Sequence, residues 1–223
     1  LVRNAERASF AGTLGINIGR NKDTPNERAV DDYLFCLERV SARASYVTIN
    51  ISSPNTQGLR DLQDEETLKR FIGTLRDAQE RLAAKHGARK PMLLKIAPDL
   101  AETELDGIAD VLLASGIDGL ICTNTTIDRA PVAGLKHAGE IGGLSGRPLF
   151  AKSTAVLRGM AKRIGGRMPI IGVGGIVEGG DAAAKVDAGA TLLQFYTGMV
   201  FRGPALIGEC VEAIRARGAA RAA

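Results

Sequence analysis

Residues 46–56 read YVTINISSPNT, an apolar run that passes directly into amides and hydroxyls. The first four residues predict a buried strand, and residues 50–56 follow its carboxyl end. In parallel α/β proteins, functional groups collect at that edge of the sheet. Pro54 stiffens the turn, while the asparagines and serines supply uncharged donors and acceptors. The segment therefore predicts either a site that holds a flat polar ring or a turn that only caps its own neighbours.

The rest of the chain alternates short apolar runs with amphipathic segments, a pattern that predicts parallel strands joined by helical crossovers. We predict strands at 14–18, 46–51, 92–96, 119–123, 169–172 and 192–196. We predict helices at 2–11, 27–43, 65–86, 102–115, 150–164, 179–188 and 204–217. These units indicate an α/β fold, a (β/α)8 TIM barrel with about six of its eight strand–helix units present. The alternative is an open doubly wound sheet, but residues 17–21 (NIGRN) lack the glycine-rich turn that marks it.

The 223 residues are enough for one large domain, and we predict a single domain over 1–223 with a disordered tail at about 216–223. The chain starts at Leu1, already within a helical pattern, as the middle of a protein would. A net charge of +4 and few aromatic residues do not predict a nucleic-acid-binding surface. No apolar run approaches the length of a membrane span. Cys36, Cys122 and Cys210 are far apart, so neither a disulfide framework nor a metal site is predicted.

Amides, hydroxyls, glycines and one lysine follow the predicted strands in order, and a barrel would place them on one rim. They are Asn17; Asn50, Ser53 and Asn55; Lys95; Thr123, Asn124 and Thr125; Gly174 and Gly175; Tyr196, Thr197 and Gly198. The rim contains no histidine and no carboxylate pair, with Asp99 its one acid. This composition argues against glycoside hydrolysis and against a carboxylate metal site.

Lys95 stands inside an apolar strand, where a free ammonium is costly to bury. It could form a Schiff base, pair with a phosphate, or stabilise negative charge on a cofactor ring. Alternatively, it reaches solvent from the strand end. The Gly174-Gly175 turn and the Tyr196-Thr197 pair follow the last two strands, whose loops often bind phosphate in barrels.

Taken together, these segments resemble the dihydroorotate dehydrogenases, the flavin enzymes of pyrimidine synthesis. The resemblance rests on GINIG (15–19), NISSPNT (50–56), KIAPD (95–99), TNTT (123–126), GGLSGRP (142–148) and VGGI (173–176), in family order. The other main class of this family carries cysteine at the position of Ser53. In this respect the chain resembles the membrane-associated, quinone-dependent class 2. Compared with that family, the chain lacks the N-terminal third, including the first two barrel strands and the helices of the quinone tunnel.

The resemblance implies that FMN is the cofactor, held by Asn17, Asn50, Lys95, Thr123, Gly146, Gly175, Tyr196 and Thr197. It also implies that Asn55, Asn124 and Thr125 bind dihydroorotate. Ser53 would be the catalytic residue that removes the C5 proton as hydride leaves C6 for the flavin. A quinone would then reoxidise the flavin. The absent N-terminal segment would keep the protein peripherally on the cytoplasmic side of the cell membrane.

Three other functions stay open at this point. The first is a class 1-like enzyme with a soluble acceptor such as fumarate or a nicotinamide, against which Ser53 speaks. The second is a non-redox, phosphate-binding barrel enzyme in which Lys95 forms a Schiff base. The third is a non-catalytic folding or assembly module of a larger enzyme.

Overall fold

Six parallel strands form one sheet in the computed structural model, which describes residues 2–7 and 11–222. They are β1 (Gly15–Ile18), β2 (Tyr46–Asn50), β3 (Met92–Ile96), β4 (Gly119–Cys122), β5 (Ile170–Val173) and β6 (Leu192–Gln194). Their order in the sheet is their order in the chain. A doubly wound sheet reverses its strand order at a switch point, whereas a barrel adds each strand beside the last. The predicted barrel fold is therefore confirmed, with six of its strands in the described chain.

Within the described residues, one α-helix lies between each pair of consecutive strands, and three further α-helices lie before or after the strands. The connecting helices are α2 (Ala29–Val40), α3 (Glu65–His86), α4 (Glu102–Ser115), α5 (Phe150–Ile164) and α6 (Gly179–Asp187), whereas α1 (Val2–Arg7) precedes β1, and α7 (Thr197–Arg202) and α8 (Ala205–Ala222) follow β6. The predicted bounds of α3, α4 and α5 agree with those observed. In α3 the reason is local: the Asp64 side chain accepts the Thr67 N–H at 3.1 Å, and Gly87 ends the helix with φ +72°. None of the helices in the described part of the chain is long and apolar enough to cross a membrane.

Several predicted bounds differ from the structure. Helix α2 is shorter than predicted, since a 3₁₀ turn precedes it. Strand β6 ends at Gln194, and the residues that follow form α7, which the sequence analysis missed. Helix α8 continues to Ala222 and so includes most of the tail predicted to be disordered. Residues 8–10 of the first predicted helix lie outside the described residues.

The two faces of the sheet carry different residues. Val47, Ile49 and Leu94 are fully buried in the main core between strands and helices. The alternate positions form a small inner cluster, including Leu93 and Ile121. Two residues after Leu93 and Ile121, the inner face becomes polar at Lys95 and Thr123, whereas on β5 it stays apolar at Val173.

The polar inner positions lie at the carboxyl ends of the strands. Asn50 is opposite Lys95 in the ladder, and Asn17 is opposite Thr48. Strands β1 and β6 each pair on one side only within the described residues. A closed (β/α)8 barrel requires two more strands between these edges.

Candidate active site

A cavity of about 350 Å³ opens at the carboxyl ends of β3 to β6. Most of the predicted site residues line it, namely Lys95, Thr123, Asn124, Thr125, Gly146, Gly175, Tyr196 and Thr197. Leu149, Val173, Ile176 and Phe195 add apolar walls. A largely apolar cavity with a few converging polar groups is typical of a small-molecule site.

Side chains from two strand ends form a connected polar network beside this cavity. The Asn124 amide donates to Asn50 Oδ1 at 3.1 Å and to Ser52 Oγ at 3.2 Å. The Ser52 hydroxyl lies 2.7 Å from the carbonyl oxygen of Lys95, to which it donates. The Thr125 N–H donates to Asn124 Oδ1 at 2.8 Å. These bonds tie the ends of β2, β3 and β4 together and fix which way the Asn124 amide faces.

Lys95 projects from β3 into the cavity wall and is partly buried. Within the described residues its ammonium makes no hydrogen bond and no ion pair. Burial accordingly lowers the pKa of Lys95. An ammonium that has no partner among the described residues, at the wall of a cavity, is suited to bind an anion or an electron-rich ring. This agrees with the predictions in which Lys95 belongs to a binding site and does not simply reach solvent.

The β5–α6 turn forms the other end of the cavity. Gly174 and Gly175 have φ angles of +105° and +81°, in which a side chain is strained. A Cβ on Gly175 would come within 2.6 Å of the Phe150 nitrogen and closer still to its Cα. In the described structure, the N–H groups of Gly175 and Ile176 donate no hydrogen bond. Free backbone donors beside glycine are the arrangement by which loops bind phosphate.

Four predicted site residues lie outside that cavity, namely Asn17, Asn50, Ser53 and Asn55. Asn50 reaches it through Asn124, as described above. Ser53 is partly buried, and its Oγ accepts the Asn55 N–H at 3.3 Å. Asn55 itself is exposed. Asn17 is exposed on the inner face of β1 and lines a separate depression with Arg39.

The loop that carries Ser53 nevertheless meets the cavity through a second loop. A Cβ on Gly143 would lie 2.9 Å from Pro54 Cγ and would overlap Thr125. The 142–146 segment therefore packs against both the serine loop and the cavity wall. Ser53 and Asn55 are near the site rather than inside the cavity, and their roles stay predictions.

Arg60 is a site residue that the sequence analysis missed. Its guanidinium donates to the Ser52 carbonyl at 3.3 Å, to the Thr125 carbonyl at 3.0 Å and to Asp99 at 2.9 Å. Lys152 also pairs with Asp99 at 3.1 Å. Arg60 thus joins three loops of the rim. No local sequence pattern predicts these contacts of Arg60, because Asp99 and Thr125 are distant from it in sequence.

Asp99 is the acid at the centre of these contacts. Burial by itself would raise the pKa of its carboxyl, but hydrogen bonds from Thr126, the Ile127 N–H, Lys152 and Arg60 outweigh that effect and hold the pKa below its usual range. Asp99 therefore stays ionised at neutral pH and serves to anchor the loops.

A family model for dihydroorotate dehydrogenase matches residues 2–217. The chain belongs to the dihydroorotate dehydrogenase family. It is 58% identical over 218 residues to a dihydroorotate dehydrogenase (quinone) of Stenotrophomonas maltophilia strain K279a, across 97% of this chain and 62% of that relative. It is 56% identical to the protein of the same name from Paraburkholderia phymatum, across 98% of this chain and 63% of the relative.

Solved dihydroorotate dehydrogenase structures are similar to the fold described above. A crystal structure of DHODH from Eimeria tenella in complex with ferulenol has a TM-score of 0.85 and 40% identity, covering 96% of this chain and 60% of that one. A ligand-free DHODH structure from the same organism has a TM-score of 0.83. The chain thus spans less than two thirds of the length of these relatives. The predicted family and fold are confirmed.

Proposed function

We propose that the protein carrying this chain is a dihydroorotate dehydrogenase that oxidises (S)-dihydroorotate to orotate in pyrimidine biosynthesis, with a quinone as electron acceptor. The observation that carries the proposal is one cavity with Lys95 at one end and the Gly174-Gly175 turn at the other, where, among the described residues, neither the ammonium nor the N–H groups of Gly175 and Ile176 have a partner. That pairing suits a ligand with an electron-rich ring and a phosphate. The close relatives that bear the name dihydroorotate dehydrogenase (quinone) support this choice of reaction and acceptor.

The described residues fit FMN as the cofactor. Lys95 offers a cation that no group among the described residues neutralises, and the turn at Gly175 leaves no room for a Cβ. The residues that would hold FMN are Asn17, Asn50, Lys95, Thr123, Gly146, Gly175, Tyr196 and Thr197. When bound, FMN supplies the two-electron acceptor for the oxidation.

The substrate would bind beside the polar network of Asn50, Ser52 and Asn124. Dihydroorotate is a small ring with amide edges and a carboxylate, so amide and hydroxyl side chains can match its donors and acceptors. Asn55, Asn124 and Thr125 are the proposed contacts. Because the network fixes the Asn124 amide, this side chain is oriented before the substrate arrives.

Ser53 would take the proton from C5 of dihydroorotate. A hydroxyl is a poor base and normally needs an activating neighbour. Within the described residues no histidine or carboxylate bonds to Ser53, and its Oγ accepts only the Asn55 N–H. We therefore propose that the proton leaves Ser53 through a neighbouring hydroxyl or water, with the loop after β2 closing over the ring to exclude bulk solvent.

The quinone and the membrane would be reached through a part of the protein outside this chain. We propose a peripheral position on the cytoplasmic side of the cell membrane. The basis is the family resemblance of Ser53 to the quinone-dependent class and the names of the relatives.

The first test is an anaerobic visible spectrum of the full-length protein before and after addition of dihydroorotate. We expect a flavin band that bleaches with substrate and recovers with a quinone. Ser53→Ala should retain the band but lose nearly all bleaching. Ser115→Ala, which changes the last residue of α4 near the amino end of β4, away from the carboxyl ends that form the site, should behave as wild type. A colourless protein that FMN cannot reconstitute would overturn the proposal and favour a Schiff base at Lys95.

A further inference from the structure

Lys185 of α6 is fully buried, and the proposed reaction assigns no role to it. Its ammonium donates to Ser153 Oγ at 2.6 Å and to the Val173 carbonyl at 3.2 Å. It also lies 5.3 Å from the centre of the Phe150 ring. A buried ammonium is costly unless every proton finds a partner, so this position requires an explanation.

The contacts of Lys185 reach two carbonyls of the β5–α6 turn, one directly and one through Ser153. Lysine can only donate, so Ser153 accepts from it and has one proton left to give. That proton has two acceptors, the Gly174 carbonyl at 3.0 Å and the Phe150 carbonyl at 3.1 Å. Lys185 therefore bonds the Val173 carbonyl directly, together with the Thr123 N–H at 3.2 Å, and it is linked to the Gly174 carbonyl through Ser153.

Holding these carbonyls also orients the N–H groups of the turn. In a planar trans peptide the C=O and N–H bonds point in opposite directions. With the Val173 and Gly174 carbonyls turned toward the buried lysine, the N–H groups of Gly174 and Gly175 point away from it. Both glycines line the cavity, so donors that point away from the lysine can meet a ligand there.

Lys185 makes no ion pair within the described residues. Against the effect of burial, the charge of Asp181 raises the pKa of Lys185, and the same carboxylate accepts the N–H groups of Val177 at 2.9 Å and Glu178 at 3.2 Å. Burial raises the pKa of the Cys122 thiol, so that group is neutral at pH 7. Burial lowers the pKa of Lys185 to about 8, which leaves most of it protonated at neutral pH.

We propose that Lys185 is a positioning residue for the phosphate group of the flavin nucleotide: it aims the glycine N–H groups into the cavity and keeps a positive charge behind them. This inference rests on the proposed function, since it assigns a role toward the same cofactor. It requires no contact between Lys185 and the ligand. It predicts that Lys185 contributes to recognition of the phosphate ester and not to recognition of the flavin ring.

The test compares the affinities of full-length apoprotein for FMN and for riboflavin, which lacks the phosphate, by quenching of flavin fluorescence. Wild type should prefer FMN. Lys185→Met should reduce that preference about ten-fold or more, while its affinity for riboflavin changes little. Lys162→Met removes an exposed lysine from α5 and should keep the wild-type preference. An unchanged FMN preference in Lys185→Met would overturn the inference, even if the variant is less stable, because a purely structural role predicts that result.

If Lys185→Met does not fold, Ser153→Ala carries the test, since it removes the link to the Gly174 carbonyl and keeps the charge. A several-fold loss of FMN preference is then expected, and no loss would reject the inference. The wild-type result separates the two proposals. Wild-type protein that prefers FMN upholds the flavin site whatever the variants do, whereas wild type without FMN binding overturns the proposed function and the role of Lys185 together.

Discussion

Replacement of Gly175 by alanine should lower the free energy of unfolding and weaken the binding of FMN at the proposed site. The residue has φ +81°, and a Cβ there would overlap the backbone of Phe150 at the start of α5. Neither the Phe150 backbone nor Gly175 can move easily, because Phe150 begins helix α5 and Gly175 lies in the tight β5–α6 turn. We therefore expect two separate penalties, one from backbone conformation and one from overlap.

The size of each penalty follows from a matched variant. Gly166 has φ +76° but nothing within 4 Å of its Cβ position, so Gly166→Ala carries the conformational penalty alone. That penalty is about 1–2 kcal/mol for an L-residue in the left-handed region. Overpacking against fixed neighbours adds about 1–3 kcal/mol for Gly175→Ala. The loss of chain entropy in the unfolded state, about 0.4–1 kcal/mol in favour of alanine, is common to both variants and cancels in their difference.

Urea unfolding of the apoproteins gives the free energy of unfolding without stabilisation by ligand. Gly175→Ala should be less stable than Gly166→Ala by about 1–3 kcal/mol, and it should also bind FMN more weakly because the turn must shift. Gly166→Ala, on the α5–β5 loop, should bind FMN as wild type does. Equal stability of the two variants, together with wild-type FMN affinity in Gly175→Ala, would refute the packing argument.

Other perturbations test the loops and the core. Arg60→Met should slow flavin reduction in stopped-flow measurements, since it frees two carbonyls of the rim, whereas Arg81→Met on the exposed face of α3 should not; equal rates would contradict a positioning role for Arg60. The depressed pKa of Asp99 adds stability above the ordinary carboxyl value of 3.8 that is lost as pH falls through the lower folded-state pKa, so urea unfolding should show the stability gap between wild type and Asp99→Asn closing below about pH 4. A gap that stays constant to lower pH would contradict this linkage. Burial raises the pKa of all three thiols, but Cys122 and Cys210 are buried whereas Cys36 is partly exposed, so a thiol reagent should label Cys36 first in native protein, as peptide mass mapping would show.

The sequence predicts the parts of the fold that depend on nearby residues. Helix α3 illustrates this, because its start at Asp64, its apolar stripe and its end at Gly87 are all local signals. The barrel order of the strands also follows from local pattern, once strand–helix alternation limits the topologies. Helix α7 was missed because Thr197–Arg202 is too short for helical periodicity to be distinguished from the end of a strand.

The cavity lining was predictable for residues at the carboxyl ends of β3 to β5, as for Lys95, Thr123 and Gly175, whereas Asn17 and Ser53 were predicted by the same reasoning and lie outside the cavity. Arg60 and Lys185 were not predicted, because each contacts backbone carbonyls that only the folded chain brings within reach. In the sequence, Lys185 is an ordinary lysine on an amphipathic helix, and only its burial sets it apart.

The proposed site has a phosphate end and a ring end, and the described residues form more of the first than of the second. The proposed phosphate end lies within residues 146–198, where α5, α6 and the β5–α6 turn pack closely. The proposed ring end would include Asn17 on β1, which is exposed at an open edge of the sheet and lies outside the cavity. Under the proposed function, changes at the phosphate end should therefore alter the affinity for FMN and leave the rate of flavin reduction near wild type once FMN is saturating. Lys95→Met should instead slow reduction at saturation, because an unpartnered cation beside the ring acts on charge that develops during the reaction. Slow reduction by saturated Gly175→Ala would show that the two ends move as one unit.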